Sequence, residues 1–163
     1  MKRLFLVRHA KSDWSEPALS DFERPLNARG LRDAPFMAAK LAERMDDALT
    51  IVSSPANRAI STARYFAKAL KINEKDIRLE KNIYEAAYTQ LLDIVNGMDE
   101  KFSTVILVGH NPGFSLLSTY LSGKLIDLPT CGIAEIVFEL ESWKLVSGSS
   151  GILKKFDYPK KFT

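Results

Sequence analysis

The chain has 163 residues, 46% of them hydrophobic and 26% charged, with a formal net charge of +3. These are ordinary values for one globular domain spanning residues 1–163 and able to bury about 70% of its unfolded surface. No apolar run approaches the ~18–20 residues of a membrane span, and the lysines are scattered apart from pairs at Lys154-Lys155 and Lys160-Lys161, so neither a membrane nor a nucleic-acid partner is expected.

The N-terminal Met1-Lys2-Arg3 leads into only four apolar residues, too short a stretch for an export signal, and the lone Cys131 forms no internal disulfide; both point to a cytoplasmic protein. Leu4-Phe5-Leu6-Val7 is a short, continuously apolar run, which predicts a strand buried on both faces. Residues 10–26 are polar, contain Pro17 and Pro25, and read as a long loop of the kind that carries function. Asn27 offers an N-cap for a helix running to about Asp46, with Leu31, Ala34, Ala38, Leu41 and Ala42 on one face. Pro35 inside that span is expected to kink the helix or split it in two. Leu49 to Ser53 reads as a second strand, broken by Ser54-Pro55. Ala56 to Leu70 reads as a helix buried along Ile60, Ala63, Phe66, Ala67 and Leu70.

Asp76 to Leu79 predicts a short strand and Thr89 to Met98 a helix. Val105 to Val108 is the clearest strand in the chain. A helix from Gly113 to Leu121 follows, with Pro112 near its first turn, where a missing N–H costs little. Ile133 to Leu140 and Ile152 to Asp157 read as two final strands, joined through Trp143 and a turn at Gly148-Ser149-Ser150-Gly151. Strands alternating with helices, then a β-rich end, predict an α/β fold in a single domain. Its central sheet should be mostly parallel, with antiparallel pairing near the C-terminal end.

Both histidines of the chain stand at the end of an apolar strand-like run, His9 in Arg8-His9-Ala10-Lys11-Ser12 and His110 in Gly109-His110-Asn111-Pro112-Gly113. Ligands of open α/β sheets gather beyond the carboxyl ends of the strands. A neutral imidazole can attack phosphorus and later release it, dividing one hard displacement into two easier ones. An adjacent guanidinium pairs with phosphate oxygens and favours the uncharged ring. The turn around His110, between a strand and a helix N-terminus, favours an anion. Arg58 falls in the first turn of its helix, where it opposes the helix dipole; an external anion is one reason to place it there, and a surface arginine is the other.

Arg8-His9-Ala10-Lys11-Ser12, Ser53-Ser54-Pro55 with Arg58 and Thr62-Ala63, and Val108-Gly109-His110-Asn111-Pro112-Gly113 together resemble the histidine phosphatase superfamily. Arg24-Pro25-Leu26-Asn27 with Gly30, Ile83-Tyr84-Glu85-Ala86, and Leu128-Pro129-Thr130 are similar to the compact SixA-type phosphohistidine phosphatases within it. The resemblance implies a three-layer α/β/α sandwich of phosphoglycerate mutase-like fold. It implies that His9 is the nucleophile that becomes phosphorylated, and that Arg8, Arg58 and His110 bind the phosphoryl oxygens. Ser12 and Arg24 are expected to line the same mouth as substrate-binding residues.

Glu85 occupies a context similar to the glutamate that larger members use as proton donor to an alkoxide leaving group; a phosphorylated imidazole needs such an acid less. The resemblance implies no cofactor and no metal. Two histidines and one cysteine also lack the material for a His/Cys cage, although counting leaves a carboxylate-held Mg²⁺ open. Arg58 and Glu85 are 27 positions apart, and Glu85 and His110 are 25 apart. Such spacing leaves little room for the helical material that covers the pocket in the mutase relatives. An open site implies a phosphorylated protein as partner, such as a histidine phosphotransfer domain, over a small phosphoester. The alternatives are a broad-specificity phosphomonoesterase of the same superfamily and a phosphate-binding module without turnover.

Overall fold

The first apolar run forms β1 (Lys2–Arg8), the strand on which the functional end of the sheet is organised. The computed structural model describes residues 1–45 and 48–163. After β1 come α1 (Ala28–Ala42), β2 (Leu49–Ser53), α2 (Asn57–Ala69), β3 (Arg78–Leu79) and α3 (Tyr88–Asn96). Then follow β4 (Thr104–Gly109), α4 (Gly113–Ser122), β5 (Ile133–Phe138) and β6 (Ile152–Asp157). The strands pair into one six-stranded sheet in the order β3-β2-β4-β1-β5-β6. The first four in that order are parallel, while β5 runs antiparallel to β1 and β6 antiparallel to β5.

The alternation of side chains along β1 divides the core. Phe5 and Val7 pack with Met37, Ala38 and Leu41 of α1 and Ala63 and Phe66 of α2. Leu4 and Leu6 pack on the other side with Leu91 and Val95 of α3 and Phe114 and Leu117 of α4. Helices therefore cover both faces of the sheet, giving the three layers expected. All eight residues Leu4–Val7 and Val105–Val108 are fully buried, each contributing roughly 1.5–3 kcal/mol of apolar burial. Among the described residues no helix is long and apolar enough to cross a membrane.

Two expectations for α1 need correction. Of the two outcomes expected at Pro35, a kink or a split, the split does not occur: the helix is continuous through it. Pro35 and Leu31, whose carbonyl loses its helical partner there, are both exposed, so water can take the free acceptor. The buried face comprises Gly30, Asp33, Ala34, Met37, Ala38 and Leu41, whereas Leu31 is 51% exposed. Gly30 lies against the backbone of Lys11 where a Cβ would clash, and that contact turns the Gly30–Asp33 side inward. The expected helix end at Asp46 lies outside the described residues. In α2 the buried stripe runs through Arg58, Ala59, Thr62, Ala63, Phe66 and Ala67, with Ile60 and Leu70 only half-buried at its edge.

Candidate active site

The register of β1 on β4 ends with Arg8 opposite Gly109, so the residues that follow, His9 and His110, emerge side by side. Their ring centroids are 5.3 Å apart at an interplanar angle of 52°. The chain leaves β1 for α1 on one face and leaves β4 for α4 on the other, which opens a crevice between the two strand ends, a topological switch point. Gly109 is required here: a Cβ would stand 2.5 Å from the ring of Phe114 and 2.7 Å from Ile83.

His9 is oriented at both nitrogens. Nδ1 lies 2.7 Å from the carbonyl oxygen of Ala10, and Arg58 Nε donates to Nε2 at 3.3 Å. The two contacts together assign the proton to Nδ1, leaving the Nε2 lone pair available. The Ala10 turn is itself fixed, because the Ala10 N–H donates to Thr62 Oγ1, which donates in turn to the Arg58 carbonyl. Burial pushes the His9 pKa down to about 3, and the charges of His110, Arg58 and Arg8 act the same way. His9 is therefore neutral near pH 7.

His110 is also held neutral, its pKa pushed down to about 4, first by burial and then by Arg58. Its Nε2 lies 2.8 Å from Ser54 Oγ. That hydroxyl also accepts from the Ala56 N–H. His110 Nδ1 and Arg8 Nε are buried without a hydrogen-bond partner among the described residues. Arg8 otherwise donates through Nη1 to the Leu128 carbonyl at 3.0 Å, and burial lowers its pKa.

Arg58, in the first turn of α2, meets an internal anion. Nη1 donates to the Asp21 carbonyl at 2.7 Å, and Nη2 donates to Asp21 Oδ2 at 3.0 Å. Asp21 sits in a 3₁₀ turn (Asp21–Glu23) inside the long loop, entered by Ser20, whose N–H and hydroxyl both donate to Glu23 Oε1. Its carboxylate also accepts from Tyr84 Oη at 2.6 Å and from Arg24 Nε and Nη2. These bonds, that of Tyr84 foremost, hold the carboxyl well below the usual carboxylate range. Tyr84 is pushed up to about 12 by burial and by the Asp21 bond, so it stays a donor. Its ring packs edge-on against His110 at 5.4 Å and against Phe22 at 5.2 Å.

The structure brings together Arg8, His9, Arg58 and His110. It links Ser12 and Arg24 to them through one intermediary: Arg24 Nη1 donates to Ser12 Oγ at 2.7 Å, while the same guanidinium holds Asp21. Trp14 lies across Arg24, 3.4 Å from the guanidinium carbon to the ring centroid. Glu85, next to Tyr84, is exposed and has a positive φ of 58°; its charge reaches the cluster only as an influence on Tyr84. Cys131 is fully buried with its thiol pushed up by burial. Sequence reasoning missed Asp21 and the polar roles of Tyr84 and Ser54. The signal for Asp21 was its position three residues before Arg24, a spacing that closes an ion pair across a tight turn.

Comparisons with known proteins bear on the family and the fold. Residues 4–104 match the model of the histidine phosphatase superfamily, branch 1. An uncharacterized chloroplastic protein of Arabidopsis thaliana is 30% identical over 158 residues, covering 92% of this chain and 72% of its own length. Among solved structures, a candidate phosphohistidine phosphatase SixA from Agrobacterium tumefaciens is 28% identical with a TM-score of 0.80, covering 97% of this chain and 98% of its own. A protein histidine phosphatase SixA complexed with tungstate is 20% identical with a TM-score of 0.79, covering 99% of each chain. The latter shares the phosphoglycerate mutase-like fold described above.

Proposed function

The chain belongs to the histidine phosphatase superfamily, branch 1, and on that footing we propose that it hydrolyses phosphohistidine in proteins through a phosphoryl intermediate on His9. Family and fold support phosphatase activity; the protein substrate is our reading. The observation that carries it is the state of His9: neutral, with Nδ1–H on the Ala10 carbonyl and Nε2 turned to Arg58.

In the first step Nε2 forms a bond to phosphorus as the bond from phosphorus to the leaving nitrogen breaks. The leaving imidazole takes the electron pair and needs no strong acid, since its other nitrogen carries a proton. Arg8, Arg58 and His110 receive the phosphoryl oxygens. The unpartnered Arg8 Nε–H, and His110 Nδ1 in the tautomer that carries its proton there, would complete their hydrogen bonds with those oxygens, and such preorganised donors contribute roughly 10²–10³ each in rate. In the second step water attacks phosphorus, the P–Nε2 bond breaks, and inorganic phosphate leaves with His9 neutral again. Positioning and electrostatics suffice for this chemistry.

The protein substrate is supported by how little covers the site. Apart from short 3₁₀ turns, α3 is the one helix between α2 and β4 among the described residues, and it packs into the core against α4. The test is rapid quench with a phosphohistidine protein and with an aryl phosphate. An acid-labile, alkali-stable phosphoenzyme that disappears in His9→Ala is expected. Label on another residue, or full activity in that variant, would overturn the mechanism. Turnover of the ester alone would overturn the substrate.

A further inference from the structure

A cavity of about 470 Å³ lies between the first half of α1 and the C-terminal 3₁₀ turn (Pro159–Phe162), and its lining includes Arg29, Arg32, Phe36, Pro129, Tyr158 and Lys160. A smaller one of about 280 Å³ shares Pro129 and Tyr158 with it and is bordered by Arg8. Arg8 belongs to the cluster described above, so the smaller cavity borders that cluster and meets the larger one at Pro129 and Tyr158. Together they have an apolar floor, with Phe36, Phe156, Tyr158 and Pro129, and a rim on which the cations Arg8, Arg29, Arg32 and Lys160 outnumber the carboxylates Asp33 and Asp127.

Three cations and one carboxylate, Asp33, line the larger cavity. Asp33 is buried and is shared by Arg29 at 3.5 Å and Arg32 at 3.6 Å, so it cannot neutralise both, and Lys160 is exposed and pairs with no carboxylate among the described residues. Arg29 is held in place, donating to Thr130 Oγ1 at 3.2 Å. The first turn of α1 contains Arg29 and no acidic residue, an arrangement that its helix dipole disfavours. At Arg58 the same mismatch is answered from within the chain by Asp21. At α1 Asp33 answers Arg29 only in part, because it is shared with Arg32.

We infer that this groove binds an acidic segment of the phosphorylated protein, beside the phosphohistidine that enters the His9 site. The inference rests on the protein substrate proposed above. A protein is favoured over a nucleic acid because the groove borders the cluster at Arg8, where its occupant would be joined to the reacting phosphoryl group. The apolar floor also suits aliphatic side chains between the acidic ones.

The experiment uses the full chain and two synthetic peptides that differ only in four glutamates or four glutamines beside one histidine. Fluorescence anisotropy with the unphosphorylated peptides reads the groove without turnover; kcat/KM on the phosphohistidine forms reads it in catalysis. Binding of the glutamate peptide about tenfold tighter is expected at low salt, with the difference lost at high salt. Arg32→Ala with Lys160→Ala should reduce the preference to about twofold, chiefly through KM. Both side chains are exposed, so folding should survive; circular dichroism checks it. Arg32→Lys should keep most of the preference.

Equal binding of the two peptides, a preference untouched by the double variant, or equally tight binding of a single-stranded oligonucleotide at these residues would overturn the inference. Discrimination in anisotropy without turnover of either phosphopeptide would instead uphold the groove and count against the phosphohistidine reading.

Discussion

Arg58 grips Asp21 at two points, through the backbone carbonyl at 2.7 Å and the carboxylate at 3.0 Å, which leaves only Nε directed at His9. Asp21 thus aims the arginine and also places a negative charge beside the anion site. Asp21→Asn keeps the backbone acceptor and most of the shape but removes the charge. Tungstate or phosphate should inhibit this variant at about three- to tenfold lower concentration, a modest gain because Asp21 is half exposed. Inhibition constants measured at two salt concentrations check this, and weaker inhibition would contradict the charge argument.

Arg58→Ala should lower kcat by about 10²–10³. Arg58→Lys should recover little of it, because an ammonium cannot hold Asp21 at two points while also facing Nε2. Steady-state kinetics with folding checked by circular dichroism decides the matter. A lysine variant close to wild type would show that charge alone suffices.

His9 and His110 have pKa values pushed down to about 3 and about 4. Once substrate ionisation is corrected for, kcat/KM should show no acid limb between pH 6 and 7. Folding has the matching sign. The unfolded histidines bind protons below about pH 6.5 while the folded ones resist them, so their contribution to stability falls as pH drops from 6.5 towards 4. Asp21, shifted down as a carboxylate, keeps its contribution throughout that window and loses it only at lower pH. Urea midpoints across pH 4.5–7 should therefore fall with acid, and less so in a variant with both histidines replaced by glutamine.

Glu85→Gln should slow an aryl phosphate more than phosphohistidine, since only the ester leaves as an oxyanion that benefits from a nearby acid. Equal effects on both substrates, or none on either, would remove Glu85 from the mechanism.

Gly109→Ala forces a methyl group into Phe114 and Ile83. A loss of about 1–3 kcal/mol in stability is expected, as for other overpacked cores. Denaturant unfolding measures it.

The strands were legible because β1 and β4 are apolar without interruption, and both histidines could be placed because each follows such a run directly. The edge strand β3 was legible only approximately: Asp76 belongs to a 3₁₀ turn (Glu74–Asp76), and two residues remain as strand. Pro35 misled because propensity is local, whereas its place on the solvent side of α1 is set by packing. Asp21 stayed hidden for a similar reason. Nothing near it in sequence announces that Tyr84, 63 positions away, and Arg58 converge on one carboxylate. Such networks are written in the folding of a loop, and periodicity says nothing about loops.

The machinery straddles the sheet: Arg58 and Asp21 belong with the α1–α2 face, Tyr84 and His110 with the α3–α4 face. Loosening either layer would draw Arg58 and Asp21 away from Tyr84 and His110 while the paired ends of β1 and β4 still hold the two imidazoles side by side. A bound oxyanion gripped from both sides would act as a rivet, raising the melting temperature and slowing proteolysis even though it touches no core residue.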